Sequence, residues 1–265
     1  MKLQTIKDWK IFYKNERLKL LPRIIKEIKS ETKIKKDIDM LIKERGIISF
    51  PHTFLKDNYW IYLNIIKSLY KNKIKNVILI GVLHTREKSE EKYEFSLDNF
   101  KFLLNLYAKE NHLYPIKIKG EFFPMPPPKK EDYNKISEYL IKLDVFSKKI
   151  KKLMDGQTIV LATGDLSHYG YGYGDKEIKK DYYKSLNFKI KHLLNLCYKK
   201  KDYENFVKTA PDIKFDQTSV SIIISKIFGN IFNIKTISEK FSDYSRLLNA
   251  KKPTGVMSIV YGVLK

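Results

Sequence analysis

The sequence predicts an α/β fold of three layers, with a largely parallel central sheet and helices on both faces, in one domain spanning residues 1–265. Three observations carry that expectation. Short apolar runs rich in β-branched residues alternate with helical patterns of about ten to twenty residues. Each run stops at Gly, Pro or a polar turn, as buried strands do; Asn76-Val77-Ile78-Leu79-Ile80, closed by Gly81, is the cleanest. No internal repeat and no long flexible linker interrupts this alternation.

In chain order, residues 16–44 read as a helix, with Leu18, Leu21, Ile24, Ile25 and Ile28 at 3–4 spacing and a kink expected at Pro22. Residues 46–50 form a short strand stopped by Pro51, with His52 next. A helix over 58–70 aligns Tyr59, Tyr62, Ile66 and Leu69. The strand at 76–80 follows, and His84 lies three residues beyond Gly81. Residues 87–93 read as a charged loop, 96–108 as a helix and 113–119 as an alternating strand. Pro124-Met125-Pro126-Pro127-Pro128 is a stiff spacer. Residues 132–154 form a long amphipathic helix ended by Asp155-Gly156. The apolar run Ile159-Val160-Leu161-Ala162 breaks at Gly164 into a turn that carries Asp165 and His168. Residues 176–200 and 202–209 read as helical and 218–228 as an apolar helix. A segment at 231–238 and a final strand at 256–263 complete the chain.

A hydrophobic fraction of 43% with 13% aromatic residues marks a folded chain. No apolar run reaches the roughly 18 residues of a membrane span, and the first residues are too charged for a signal peptide. The single cysteine, Cys197, excludes an internal disulfide and sits at core spacing from Leu193 and Leu194. A cytoplasmic location with no membrane partner is the expectation. The net charge of +22 comes from lysines spread over nearly every helix, without a focused basic stripe or a nucleic-acid-binding motif, so nucleic acid is not an expected partner.

Three of the five histidines, His52, His84 and His168, follow closely on strand patterns, whereas His112 precedes a strand and His192 lies within a helix. Ligand sites of open α/β sheets form at the carboxyl ends of the strands. Three imidazoles are therefore expected on one sheet edge, where they suit metal binding or acid/base work. Two histidines and a carboxylate are the set that holds non-haem Fe(II) with open positions. Candidate acids are Asp165, Glu94, Asp98 and Asp216. Asp216 reads equally as an N-cap of the 218–228 helix, and Glu94 and Asp98 equally as a helix first turn.

The ordered set Phe12-Tyr13, Pro51-His52, Gly81-Val82-Leu83-His84, Glu94-Phe95-Ser96-Leu97-Asp98, Gly164-Asp165-Leu166-Ser167-His168-Tyr169-Gly170 and Tyr244-Ser245 resembles the Memo family. Its prokaryotic members are called AmmeMemoRadiSam system protein B. The resemblance spans nearly the whole chain, and the Asp-x-Ser-His-Tyr-Gly block is its most specific part. It implies a fold akin to class III extradiol dioxygenases, with His52 and His84 as metal ligands and His168 with Asp165 lining the site as acid/base wall. The family's third ligand is a cysteine; here Asp216-Gln217 stands at that place. The departure gives either a His52/His84/Asp216 set, suited to Fe(II) foremost, with Mn, Cu and Zn as alternatives, or a site that has lost its metal. Two functions follow: a metal-dependent redox enzyme acting on a small molecule without a nucleotide cofactor, or a non-enzymatic binding or adaptor protein. The resemblance implies radical-SAM and AMMECR-type proteins as partners.

Overall fold

The computed structural model describes residues 6–30, 33–52, 54–82, 94–175, 182–229, 233–245, 250 and 254–264. Within them, β1 (Ile47–Phe50), β2 (Asn76–Ile80), β3 (Lys117–Phe122) and β4 (Thr158–Thr163) pair in parallel. The long β7 (Thr254–Leu264) lies antiparallel to β1, β5 (Ser167–Gly170) and β6 (Asn233–Asp243). The sheet order is β3-β2-β4-β1-β7-β5, with β6 paired to β7. The sheet is therefore mixed and not largely parallel: its parallel half ends at β1, and everything built on β7 is antiparallel. An apolar strand reads alike in either direction, so residue pattern alone could not give the sense of β7.

Alternation along the strands splits the core into two layers. Ile48, Phe50, Val77, Leu79, Ile159 and Leu161 face one side. There they meet residues of α1 (Ile6–Lys29), α2 (Lys36–Lys43), α3 (Leu55–Lys71) and α4 (Phe95–Glu110). Ile47, Ile78, Ile80, Val160 and Ala162 face the other side. They pack on α5 (Ile136–Lys151), α6 (Tyr182–Asn195), α7 (Tyr203–Thr209) and α8 (Thr218–Phe228). Helices thus cover both faces, as the alternation of elements predicts.

Several boundaries differ from the sequence expectation. The helix expected over 16–44 is two helices, α1 and α2, and α1 begins earlier, at Ile6. Pro22 lies inside α1 on its exposed side, where a carbonyl freed by the missing N–H can face water. β3 runs later than 113–119, because Leu113 and Tyr114 are exposed and cannot anchor a strand. Residues 130–135 form a 3-10 turn ahead of α5, and the helical region through residue 200 ends in a π-helical turn at Leu196–Lys200. Of the segment at 231–238, the described residues from Asn233 on belong to the longer β6, and residues 231 and 232 lie outside the described residues. His168 lies in β5 and not in a turn. His84 and the charged loop at 87–93 lie outside the described residues. No helix among the described residues is long and apolar enough to cross a membrane.

Candidate metal centre

Strand register brings the first two site residues together. Phe50 and Thr163 are partners at the carboxyl ends of the parallel pair β1–β4. His52 and Asp165 each follow two residues later, so they emerge side by side at the crevice where open α/β sheets bind ligands. The Nε2 atom of His52 stands 3.4 Å from Oδ2 of Asp165, and both side chains are buried.

Asp216 and His168 reach the same point from the other half of the fold. Asp216 immediately precedes Gln217, the residue that flanks α8 at its N-terminus, and it places Oδ2 3.2 Å from His52 Nε2 and 3.8 Å from His168 Nε2. No side-chain cap closes α8. Gln217, not Asp216, holds the N-cap position of α8, and Asp216 falls in one group with His52 and His168. The turn before Asp216 is stitched to β5: Ser167 Oγ donates to the Ile213 carbonyl at 2.7 Å, and His168 Nδ1 lies 3.1 Å from the Lys214 carbonyl. A carbonyl only accepts, so Nδ1 donates to it, and Nε2 is the ring nitrogen that faces Asp216. A backbone carbonyl behind one ring nitrogen is the arrangement that orients metal-binding histidines.

Gln217 holds these pieces in place. Fully buried, its Oε1 accepts from Ser49 Oγ at 2.9 Å and from Tyr261 OH at 3.1 Å, and its Nε2 donates to the Gly164 carbonyl. One amide therefore joins β1 three residues before His52, the end of β4 one residue before Asp165, and β7. Gly164 adopts φ +150°, and a Cβ there would overlap Gln217 Cγ and stand 2.9 Å from Val82 Cγ2.

The electrostatics favour a cation. Asp165 and Asp216 crowd one nitrogen of His52, and Glu94 Oε1 lies 3.8 Å from the other, Nδ1. Glu94 also accepts from the backbone N–H and hydroxyl of Ser96, which in turn meets Thr163 Oγ1 at 2.7 Å. Burial pushes the Glu94 carboxyl up, although His52 and Ser96 pull it back. Burial likewise pushes the His52 imidazole down from its ordinary 6.5, with Glu94 opposing. Burial thus favours the neutral imidazole, the form in which a histidine binds a metal.

The donor set fits an ion. His52, His168 and Asp216 each offer one ligand atom, all within 4.8 Å of one another. Donors bound to one centre at about 2.0–2.2 Å sit about 3–4 Å apart, which the His52–Asp216 and Asp216–His168 spacings match. Imidazole and carboxylate are donors of intermediate to hard character, suited to Fe, Mn or Zn.

This group lies within a pocket of about 820 Å³. Aromatic rings build one side: Phe95 stacks on Tyr13 with centroids 4.7 Å apart and on Trp9 at 5.3 Å, and it meets the His52 ring edge-on at 5.1 Å. Tyr173 meets the His168 ring edge-on at 5.0 Å.

Of the residues singled out in the sequence, His52, His168, Asp165 and Asp216 converge, and Glu94 joins them from behind. Asp98 instead pairs with Arg17 at 2.9 Å. Asp165 is aimed at His52, while the Lys214 carbonyl orients His168. Trp9, Lys129, Tyr173 and Gln217 carried no sequence signal of their own. The Pro124–Pro128 run, which reads as a spacer, lines the pocket through Pro124, Pro126 and Pro127. No family model matches the sequence, and no curated protein matches it.

Proposed function

We propose that this cleft is a metal-dependent redox site for a small molecule, with His52, His168 and Asp216 holding a divalent cation. The observation that carries the reading is the convergence of three donor atoms within 4.8 Å of one another in a large pocket at the strand ends. Fe(II) is the favoured ion, because two imidazoles and one carboxylate leave positions open for ligands. His84, which the resemblance to the Memo family makes a ligand, is the candidate for a further donor.

A bound ion supplies Lewis acidity and, if iron, an electron. The chain's own residues do the rest. Asp165, beside His52 Nε2, and the buried Glu94 are placed to hold or release protons near the reacting centre. His168 stands at the pocket wall with its proton fixed on Nδ1, away from the centre. Where the resemblance assigns His168 to acid/base work, its Nε2 facing Asp216 favours ligation. The wall of Trp9, Tyr13 and Phe95 excludes water on one side.

Titration with Co(II) tests the reading, since cobalt substitutes for Fe(II) or Zn(II) and reports its ligands by visible absorption. The expected result is a protein-dependent spectrum that changes in His168→Ala. Absence of any such band would sink the metal assignment and leave the second reading, a binding or adaptor protein that keeps the fold.

A further inference from the structure

The Pro124–Pro128 segment is the one sequence motif that the metal centre does not use, yet it forms part of the pocket wall. It is a built wall. The Met125 carbonyl accepts from Ser219 Oγ at 2.6 Å, and that hydroxyl lies 2.6 Å from Tyr139 OH, so α8 and α5 both pin the segment. Consecutive prolines fix φ and stiffen the chain between this pin and Lys129. Lys129 continues the extended course with φ −72° and ψ 167° and lines the same pocket.

Lys129 is the one lysine or arginine among the described lining residues. Among the described residues it forms an ion pair with Glu131 Oε1 at 4.0 Å, with both side chains 70% exposed, so that pair leaves the ammonium available. The lining acids, Asp165 and Asp216, both stand at His52 Nε2, at 3.4 and 3.2 Å. The chain's net charge of +22 creates a field that draws anions toward any opening of the fold. The lining also holds a stack of flat rings, Trp9, Phe95 and Tyr13, which suits a planar apolar body.

We infer that the pocket takes an organic anion with a flat aromatic body, its ring against the Trp9–Phe95 wall and its carboxylate or phosphate at Lys129. The inference rests on the proposed use of this cleft as a ligand site but not on the metal itself. Specificity comes from the stiff proline strut, which leads into Lys129 on the pocket lining.

The chain contains two tryptophans, Trp9 in the wall and Trp60, half-buried on α3, so Trp60→Phe leaves Trp9 as sole reporter. The probes are 2-naphthoate and its neutral counterpart 2-naphthamide, titrated into metal-free protein while Trp9 fluorescence is followed. The expected result is tighter binding of the naphthoate, and about fivefold or greater loss of that preference in Lys129→Met. Naphthamide affinity should be unchanged by the substitution. Equal binding of the two probes, an unchanged naphthoate affinity in Lys129→Met, or no quenching by either probe would overturn the inference. Co(II) binding by Lys129→Met is read in parallel: a cobalt spectrum like that of the unsubstituted protein shows the metal centre intact, and an undiminished naphthoate preference beside it overturns the anion site alone.

Discussion

His52 Nε2 lies 3.2 Å from Asp216 Oδ2, although the two residues enter the cleft from opposite halves of the fold, one at the end of β1 and the other ahead of α8. Asp165 stands at 3.4 Å from the same nitrogen, so two carboxylates share one imidazole. Two like charges held this close repel each other, and a cation between them relieves that repulsion. Asp216→Asn should therefore leave the metal-free protein as stable as the parent or more stable, by up to about 1 kcal/mol, while weakening metal binding. Thermal melts with and without chelator read both effects. A large loss of stability in the chelated protein would instead make Asp216 a structural ion-pair partner.

Gln217→Leu tests the clamp. Removing the amide takes the partner of the Gly164 carbonyl and one partner each from Ser49 Oγ and Tyr261 OH in a buried setting, at a cost of about 2–4 kcal/mol. Because the amide also sets the spacing of His52, Asp165 and Asp216, metal affinity should fall about ten- to a hundredfold. Denaturant unfolding and a metal competition assay measure the two losses separately. Lost stability with unchanged affinity would reduce Gln217 to a core residue.

Gly164→Ala probes the same junction from the backbone. With φ at +150° and its missing Cβ directed at Gln217 and Val82, the substitution should destabilise by more than about 2 kcal/mol. A neutral effect in a urea melt would contradict the close approach of Gln217 to the end of β4.

The sequence showed part of this and hid part. His52 and Asp165 were legible because each follows a β-branched run by two residues, and parallel register then sets them side by side. Helix positions such as those of α3 and α4 followed from 3–4 periodicity. The direction of β7 was not legible, since buried strands of either sense are equally apolar, and with it went the placement of His168 in a strand. Gln217 was hidden for another reason: a buried amide is recognised by its partners, and Ser49, Gly164 and Tyr261 are scattered along the chain. Trp9 was hidden inside a helix whose start carries few apolar cues, and Lys129 among so many other lysines.

A pH effect is expected at the edge of the pocket. Glu16 on α1 accepts from the backbone amides of Leu55 at 3.0 Å and Lys56 at 3.1 Å, bonding α1, the helix that carries Trp9 and Tyr13, to the first turn of α3. Burial pushes its carboxyl above the ordinary 4.5, although the two amides pull it down. A raised carboxyl binds its proton more tightly in the folded chain, so its contribution to stability is greatest below 4.5 and declines as pH rises through the folded-state value. The stability difference between the parent and Glu16→Gln should accordingly move against the parent as pH rises from 4 toward 7. Urea melts across that range check it, and a difference growing in the parent's favour would reverse the assignment.

The central claim is that this cleft holds a metal ion, and metal retention tests it most directly. The protein, stripped and reconstituted anaerobically with Fe(II), Mn(II), Zn(II) or Cu(I), is desalted and its metal measured per chain, alongside His52→Ala and Asp216→Asn. The account predicts stoichiometric retention of at least one of these ions by the parent, with Fe(II) foremost, and its loss in both variants while the fold is kept. Failure of the parent to retain any of them, or equal retention by the two variants, would contradict it.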